Sequence, residues 1–252
     1  MSQPCNTLER YAFFERMPGL IVLIFVGFLV LIIVGAIFGN AQRQKRIAAL
    51  EAWSASLGLS FEPRKNRRFE KRFAEFACFK QGNDRYAYNL AHGRYEGRRV
   101  YAFDYHYTTT STSTDSKGRT TTRTHHHHFS AVILEPNIPL KPMLIRPEGF
   151  GDRIANFFGR NDIDFESAEF SKRFFVQAED RRWAYDVLHA RTMAFLLDQP
   201  PHVIEFEPGR VLILRNRRVM DASQFHTAIH IADQLLDGLP DYVRQQQLES
   251  LS

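Results

Sequence analysis

The sequence predicts an α+β protein in which one N-terminal transmembrane helix precedes a soluble domain of mostly antiparallel sheet with flanking helices. Three observations indicate this fold class. An uninterrupted apolar run near the N-terminus is long enough to cross a bilayer. Behind it, several short segments alternate apolar and polar residues, as half-buried strands do. The segments with helical periodicity are grouped apart from these strands, which favours an antiparallel sheet over a parallel one.

The apolar run has no charged residue between Met17 and Gln42, and its centre, Leu20–Phe38, is 19 residues long. At about 1.5 Å per residue, that centre matches a hydrocarbon core of about 30 Å. We therefore predict a transmembrane helix over residues 18–40, after a short tail of residues 1–17. A cleaved signal peptide is the alternative, because small residues follow the run, but the apolar core of a signal peptide is usually shorter.

Positive charge lies behind the apolar run. Two arginines before the run are offset by two glutamates, whereas residues 43–72 contain nine Lys and Arg. Cytoplasmic flanks of membrane helices carry such an excess. The sequence therefore predicts a single-pass membrane protein with its N-terminus outside, its C-terminal domain in the cytoplasm and the lipid bilayer as a partner.

Cysteine and glycine placement gives two further expectations. Cys5 and Cys78 lie on opposite sides of the predicted span and are not expected to pair, which suits a reducing compartment for the main domain. Gly35 and Gly39 form one G-x-x-x-G pair, a spacing that lets two membrane helices approach closely in a homodimer.

A basic segment follows a predicted juxtamembrane helix over residues 41–62. Phe69, Phe73 and Phe76 recur at i, i+4 and i+7, which predicts an amphipathic helix after Pro63. Cations beside a cytosolic leaflet gain about 1 kcal/mol each from anionic lipid, so anionic headgroups are a candidate partner. The alternative is a solvated helix whose phenylalanines belong to the core. The candidate membrane-surface residues are Arg64, Lys65, Arg67, Arg68, Lys71 and Arg72.

No nucleic-acid recognition motif accompanies this basic segment, so nucleic acid is not an expected partner.

Residues 63–245 are predicted to form a cytosolic α+β domain, which could consist of two halves, 63–147 and 148–245. Strands are predicted over Arg85–Gly93, Arg98–Tyr107, Phe129–Glu135, Lys141–Gly149, Lys172–Ala178 and, as a hairpin turning at Pro208 and Gly209, His202–Arg215. Helices are predicted over Ala41–Gly58, Gly151–Gly159, Glu179–Leu197 and Asp221–Pro240.

A Thr/His-rich hairpin is predicted at residues 104–130. The stretch Thr108–His128 contains nine threonines and four histidines, and β-branched threonine favours strands. A three-residue loop, Ser116–Gly118, places glycine where the backbone must be left-handed. With this loop, Tyr105 faces Phe129. The stretch is therefore predicted to be a protruding hairpin instead of a disordered linker.

The same register places His106, His126 and His128 on one face of the hairpin and His127 on the other. Three imidazoles on neighbouring strands could bind zinc or another divalent metal, or respond to pH near 6.5. The alternative is an exposed polar strand, because a run of four histidines puts two on each face whatever its purpose. No other cofactor is indicated.

Four segments of the chain resemble a loose group of uncharacterised bacterial membrane proteins that have one N-terminal span and a mixed α/β cytosolic domain. These segments are Gly93–Tyr105, Phe129–Glu135, Arg146–Gly149 and Glu169–Leu188. The resemblance extends over most of residues 50–240. It implies the same architecture and a location in the bacterial inner (plasma) membrane. It implies no activity, so no residue inherits a catalytic role from it.

The sequence favours a membrane-anchored cytosolic binding or scaffold module over an enzyme, because it contains no nucleophile, phosphate-loop or redox motif. A protein partner, a second copy of the chain and anionic headgroups are its candidate partners. The alternatives are a membrane-tethered metal-dependent hydrolase and a pH or metal sensor, each using the histidines of the hairpin.

Overall fold

A computed structural model of the chain describes residues 7–149, 163–215 and 218–249, with side chains from residue 23 onward. The chain divides into two compact units, Met1–Ala48 and Ala49–Ser252. The predicted helix over Gly151–Gly159 lies outside the described residues.

Helix α1, Thr7–Ser56, is continuous through the predicted span and into the predicted juxtamembrane segment. Its large apolar side chains between Leu23 and Phe38 are exposed, as is usual for a helix that lipid would surround. In the part of the chain that the structure describes, Leu23–Ser56 is the one stretch of helix long and apolar enough to cross a membrane. The protein thus has one candidate membrane span near its N-terminus.

One eight-stranded sheet forms the centre of the second unit, and every pairing between neighbouring strands is antiparallel. The α+β fold class predicted from the sequence is confirmed. The strand order is β1-β2-β3-β4-β8-β7-β5-β6, so strands from both predicted halves join the same sheet. The strands are β1 Ser60–Glu62, β2 Asn83–Tyr95, β3 Arg98–Thr114, β4 Thr120–Glu135, β5 Met143–Pro147, β6 Phe174–Ala178, β7 Val203–Glu207 and β8 Arg210–Leu214.

Strands β3 and β4 form the predicted hairpin. Tyr105 pairs with Phe129, as the sequence predicts, and the pairing continues without a shift to Thr114 and Thr120. Gly118 has φ +74°, the left-handed conformation that this loop requires. Beyond the root of the hairpin both strands are exposed, so the tip is a two-stranded ribbon in solvent.

The two faces of the sheet carry separate apolar clusters. Helix α6, Ala222–Asp237, covers one face, where Val100, Val132 and Ile213 are buried. The phenylalanine-rich segment around α2, Phe69–Arg72, covers the other face, where Phe103 and Ile133 are buried. Alternation along each strand sends successive side chains to opposite faces, which explains the period-two pattern of the sequence.

Helices complete the unit around the sheet. They are α2 Phe69–Arg72, a 3-10 turn Ala77–Lys80, α3 Ala168–Arg173, α4 Arg181–Val187, α5 Ala190–Asp198, α6 Ala222–Asp237 and α7 Asp241–Glu249. Asp221 caps the N-terminus of α6: its side chain accepts a hydrogen bond from the Gln224 amide, and the Asp221 amide donates one to the Gln224 side chain. The sequence did not indicate β1 or α7.

The single helix predicted over Glu179–Leu197 is wrong. It is broken at His189, whose extended backbone separates α4 from α5. The break lets the imidazole of His189 lie 3.0 Å from the carbonyl oxygen of Gly238, at the end of α6. Within α5, Thr192 and Leu196 are buried, while Ala190 and Ala194 are exposed.

Candidate functional site

The basic segment is held along the outer edge of β2. The amide of Asn66 donates to the carbonyl oxygen of Ala87 and the Ala87 amide donates back to Asn66, at 2.7 and 3.1 Å. The helix predicted after Pro63 is correspondingly reduced to α2, a single turn, because Asn66 bonds to β2 in place of a helical partner. The chain therefore lies on the sheet instead of projecting from it as a helix.

The phenylalanines of this segment belong to the core. Phe69, Phe73 and Phe76 are buried, and Phe69 contacts Phe103 of the sheet with ring centroids 4.5 Å apart. Of the two interpretations of the amphipathic pattern, the geometry matches the one that assigns the rings to the protein interior. No apolar face of this segment is left to enter lipid.

The six cations of the same segment, which we name the basic surface, are all exposed: Arg64, Lys65, Arg67, Arg68, Lys71 and Arg72. Three of them have partners within the protein. Arg67 pairs with Asp84 at 2.5 Å, Arg72 pairs with Glu135 at 3.3 Å, and the Lys65 ammonium lies 4.3 Å from the ring centroid of Tyr86. The hydrogen bond between Arg67 and Asp84 lowers the pKa of the Asp84 carboxyl.

The remaining three cations, Arg64, Arg68 and Lys71, make no ion pair with any residue that the structure describes. A surface cation without a counter-charge keeps its full attraction for an external anion. These three side chains are therefore the part of the basic surface best placed to contact a negatively charged partner.

The three histidines predicted to share a face are in contact at the root of the hairpin. Nε2 of His106 lies 3.0 Å from Nδ1 of His126, and the rings of His106 and His128 are 4.7 Å apart. His106 is buried, whereas His126 and His128 are exposed. His127 is on the other face, stacked on Tyr107 at 4.6 Å, as predicted.

Both ring nitrogens of His106 are already used within the protein. Nδ1 lies 3.1 Å from the carbonyl oxygen of Asp84, and Nε2 is the atom next to His126. In the described residues, no group of three His, Cys, Asp or Glu side chains has an arrangement that could hold a metal ion. A metal at this cluster would have to displace existing hydrogen bonds, and the metal site stays a prediction.

A buried polar network lies beside the histidines on the same face. The Asp104 carboxylate is fully buried and accepts hydrogen bonds from the Asn89 amide at 2.8 Å and the Ser130 hydroxyl at 2.5 Å. Ser130 in turn accepts from the Met220 amide at 2.7 Å. A shift in the β2–β3 register before Ala91 places Asn89 in a left-handed conformation beside Asp104. This satisfied network fixes the root of the hairpin.

Protonation of His128 should destabilise this region. Although the His128 side chain is exposed overall, the rings of Tyr88 and His106 partly desolvate it. This desolvation and the neighbouring histidines lower the pKa of His128 from its ordinary value of 6.5. Because the unfolded chain then binds protons more readily than the folded one, the contribution of His128 to stability is lost as the pH falls below 6.5.

We therefore expect wild type to lose free energy of unfolding relative to the His128→Gln variant between pH 7.5 and pH 5.5, a range spanning the ordinary histidine pKa. Urea unfolding of the full-length protein in non-ionic detergent measures this difference. His125→Gln, on the other face of β4, is the control. A difference between wild type and His128→Gln that does not change with pH would contradict the expectation.

Two groups of charged residues at the phenylalanine-covered face were not indicated by any sequence motif. Glu205 of β7 is buried, and its carboxylate accepts a hydrogen bond from the Ala77 amide at 3.0 Å. Burial raises the pKa of Glu205 to about 7, and burial together with Glu75 raises that of Glu207 to about 7. The second group consists of Glu135 and the arginines around it, Arg72, Arg99 and Arg210. Along β7, Ile204 and Phe206 alternate with Glu205 and Glu207, a pattern that would place position 205 on a solvent-facing side, so the sequence carries no signal for the burial of Glu205.

Comparison with known proteins identifies a fold but no family. No protein-family model matches the chain, and no curated protein matches it. The fold is similar to that in the crystal structure of the mycobacterial trehalose monomycolate transport factor A, TtfA, with a TM-score of 0.53 and 15% sequence identity. The similarity covers 77% of this chain and 96% of that one.

Proposed function

We propose that this protein is a membrane-anchored binding or scaffold module whose cytosolic domain contacts anionic lipid headgroups through the basic surface. One observation carries the proposal: the segment of residues 63–73 buries its phenylalanines and exposes all six of its cations. Such a surface would bind lipid by charge alone, without inserting side chains into the hydrocarbon, so the contact should weaken steeply with salt.

A binding role is supported by two further features. Asp104, the buried carboxylate nearest the histidines, is fully occupied in holding the hairpin to the sheet, which is a structural use. The protein of similar fold is named a transport factor, and we extend from it only the idea of an accessory role through binding. A protein partner, or a second copy meeting at Gly35 and Gly39, would complete such a module.

Arg64, Arg68 and Lys71 should determine lipid dependence. In full-length protein reconstituted in nanodiscs, we expect amide hydrogen exchange over residues 64–72 to slow when phosphatidylglycerol is added to phosphatidylcholine at low salt, and to return to its original rate at high salt. Replacing all three residues with Gln should remove most of this effect, since the three together supply up to about 3 kcal/mol of attraction.

The control for this experiment removes the same charge elsewhere. Lys172, Arg181 and Arg191 are exposed on α3, α4 and α5 and, like the three test residues, form no ion pair with a described residue. Replacing them with Gln should leave the slowing intact. Equal loss in both triple variants, or slowing that persists at high salt, would argue against a lipid contact at the basic surface.

The topology belongs to the same proposal. We propose that the protein resides in the inner membrane with residues 43–252 in the cytoplasm, on the basis of the Lys and Arg excess behind the span. Protease added to intact spheroplasts should leave these residues undigested and should cut them after lysis. Digestion of these residues in intact spheroplasts would contradict the proposed orientation and place the domain outside the cytoplasm.

A proton-responsive hairpin is the second candidate, favoured by the contact between His106, His126 and His128. The Tyr86 ring stacks on His106 at 4.5 Å and also lies under Lys65, so the histidines and the basic surface are packed together. Charge gained at His128 would add to the positive charge of the basic surface. Elemental analysis of full-length wild type and of a variant with His106, His126 and His128 all replaced by Ala separates this idea from zinc binding. Equal metal content in the two proteins would exclude a metal at the cluster.

A further inference from the structure

A row of charged side chains crosses one end of the sheet, away from the histidines. Arg94 of β2 pairs directly with Arg99 of β3, and Arg99 pairs with Glu135 of β4. Next across the sheet, Arg210 of β8 donates to Glu135 at 3.2 Å. Side chains directly opposite on neighbouring strands share one face, so the row presents three arginines and one carboxylate to the same side.

Glu135 cannot neutralise the arginines around it. Its carboxylate is 14% exposed and contacts Arg72 at 3.3 Å, Arg210 at 3.2 Å and Arg99 at the longer distance of 3.9 Å. Arg210 also pairs with Glu75. The carboxylates of Glu135 and Glu75 thus lie closer to Arg72 and Arg210 than to Arg99. Of the three guanidinium groups, that of Arg99, which is 59% exposed, has the least of its positive charge compensated.

The positive charge of Arg94 is compensated less than that of Arg99. Its guanidinium donates to the carbonyl oxygen of Gly97 at 3.1 Å, and it forms no ion pair with a described residue. Two like charges directly opposite each other on an antiparallel pair repel and destabilise the pair. An oxyanion between Arg94 and Arg99 would turn that repulsion into two attractive contacts.

A groove lies over this pair of arginines. Its volume is about 440 Å³, and it is lined by Arg94, Arg99, Glu135 and Arg210 together with the turns Pro136–Asn137 and Pro208–Gly209. Guanidinium groups match the geometry of phosphate oxygens and bind them through paired N–H donors. The groove is open to solvent, so a phosphate carried on a larger molecule can enter it.

We infer that this groove, the arginine groove, is a binding site for a phosphate group, held by Arg94 and Arg99 with Arg210 at its inner side. The inference does not depend on the proposed function, because neither Arg94 nor Arg99 belongs to the basic surface. The phosphate could come from a soluble phosphate compound or from a lipid headgroup with a phosphomonoester, such as phosphatidic acid, since both present the same chemistry.

The test has two arms and uses the full-length chain. In the first arm, inorganic phosphate is titrated into protein in non-ionic detergent at constant ionic strength, and melting is followed by tryptophan fluorescence. In the second arm, melting is compared in nanodiscs of phosphatidylcholine with and without phosphatidic acid. Wild type is compared with Arg94→Gln/Arg99→Gln and with the control Arg181→Gln/Arg191→Gln, which removes the same charge from α4 and α5.

We expect phosphate to raise the melting temperature of wild type and control but not of Arg94→Gln/Arg99→Gln, whose affinity should fall at least about tenfold. If only phosphatidic acid gives this pattern, the ligand is a lipid headgroup. Arg94→Lys/Arg99→Lys keeps the charge without the planar guanidinium group and should bind phosphate more weakly than wild type. This variant preserves the test if the Gln variant does not fold.

The inference would be overturned if wild type, Arg94→Gln/Arg99→Gln and Arg94→Lys/Arg99→Lys gave the same change in melting temperature in both arms. Replacing Arg64, Arg68 and Lys71 should not change the response to inorganic phosphate, so this result and the lipid result at the basic surface can fail independently.

Discussion

Replacing Phe73 with alanine should lower the free energy of unfolding by about 3–5 kcal/mol, the range for a fully buried phenylalanine. Its side chain is fully buried, with ring centroids 4.9 Å from Phe69 and 5.2 Å from Tyr101. The guanidinium carbons of Arg72 and Arg210 lie 5.3 and 5.0 Å from the same ring. Truncation would leave a cavity beneath the basic surface and remove the platform on which these two arginines rest.

This substitution distinguishes the two interpretations of the amphipathic pattern. A ring inserted in lipid would contribute little to the stability of the domain in detergent, and its loss would instead weaken membrane contact. Urea unfolding of the full-length protein in non-ionic detergent provides the measurement, and both tryptophans of the chain, Trp53 and Trp183, report on the second unit.

Two companion variants make the Phe73 result interpretable. Lys71→Ala, on the exposed side of the same turn, should change stability by less than about 0.5 kcal/mol. Phe73→Leu leaves a smaller cavity and serves if the alanine variant does not fold. A loss below about 1 kcal/mol for Phe73→Ala would place the ring outside the core, because surface substitutions have effects of that size.

Replacing Glu205 with glutamine should stabilise the protein at alkaline pH, opposite to the usual effect of removing a buried hydrogen-bonded group. Glu205 is 1% exposed, and only one of its oxygens accepts a hydrogen bond, from Ala77. In the described part of the chain the other oxygen, Oε2, has no partner. Burial therefore raises the pKa of Glu205 from 4.5 to about 7. Glutamine keeps the acceptor for Ala77 and cannot ionise.

The sign of the pH effect follows from linkage. The folded-state pKa of Glu205 is above its unfolded value, so its contribution to stability is fully present below pH 4.5 and is lost as the pH rises through about 7. At one pKa unit per 1.36 kcal/mol, the advantage of Glu205→Gln over wild type should grow by roughly 2–3 kcal/mol between pH 5 and pH 8.

The comparison between the two pH values is the decisive quantity, because any cost of burying the amide group is the same at both. Urea unfolding at pH 5 and pH 8, with Glu166→Gln as an exposed control of equal charge change, measures it. An advantage that stays constant across this range would show that Glu205 ionises as freely in the folded protein as in the unfolded chain.

Local pattern was sufficient for the candidate membrane span and for most strands. Leu20–Phe38 has no polar side, which no helix in water tolerates, so composition alone identified it. The β3–β4 register followed from one glycine: with Gly118 left-handed, the two strands must pair as Tyr105 and Phe129 do. The shared face of His106, His126 and His128 followed from that register.

Patterns with two physical explanations could not be resolved in this way. The spacing of Phe69, Phe73 and Phe76 predicts a helix, and only pairing of Asn66 with β2 reduces that helix to one turn. The helix over residues 179–197 has no breaker in its sequence, and its break at His189 depends on a contact with Gly238, almost fifty positions away. Such contacts are long-range and leave no periodic signal.

Sequence alone was enough to predict the candidate span, the antiparallel character of the sheet and the pairing of the hairpin, because each depends on the solvation or backbone preference of residues close together in the chain. Three features became known only from the tertiary structure: the burial of Phe69, Phe73 and Phe76, the meeting of Arg94, Arg99 and Arg210 at one groove, and the burial of Glu205. The physical reason is that burial and charge compensation are properties of side chains that the fold brings together from distant strands, here β2, β3, β4, β7 and β8.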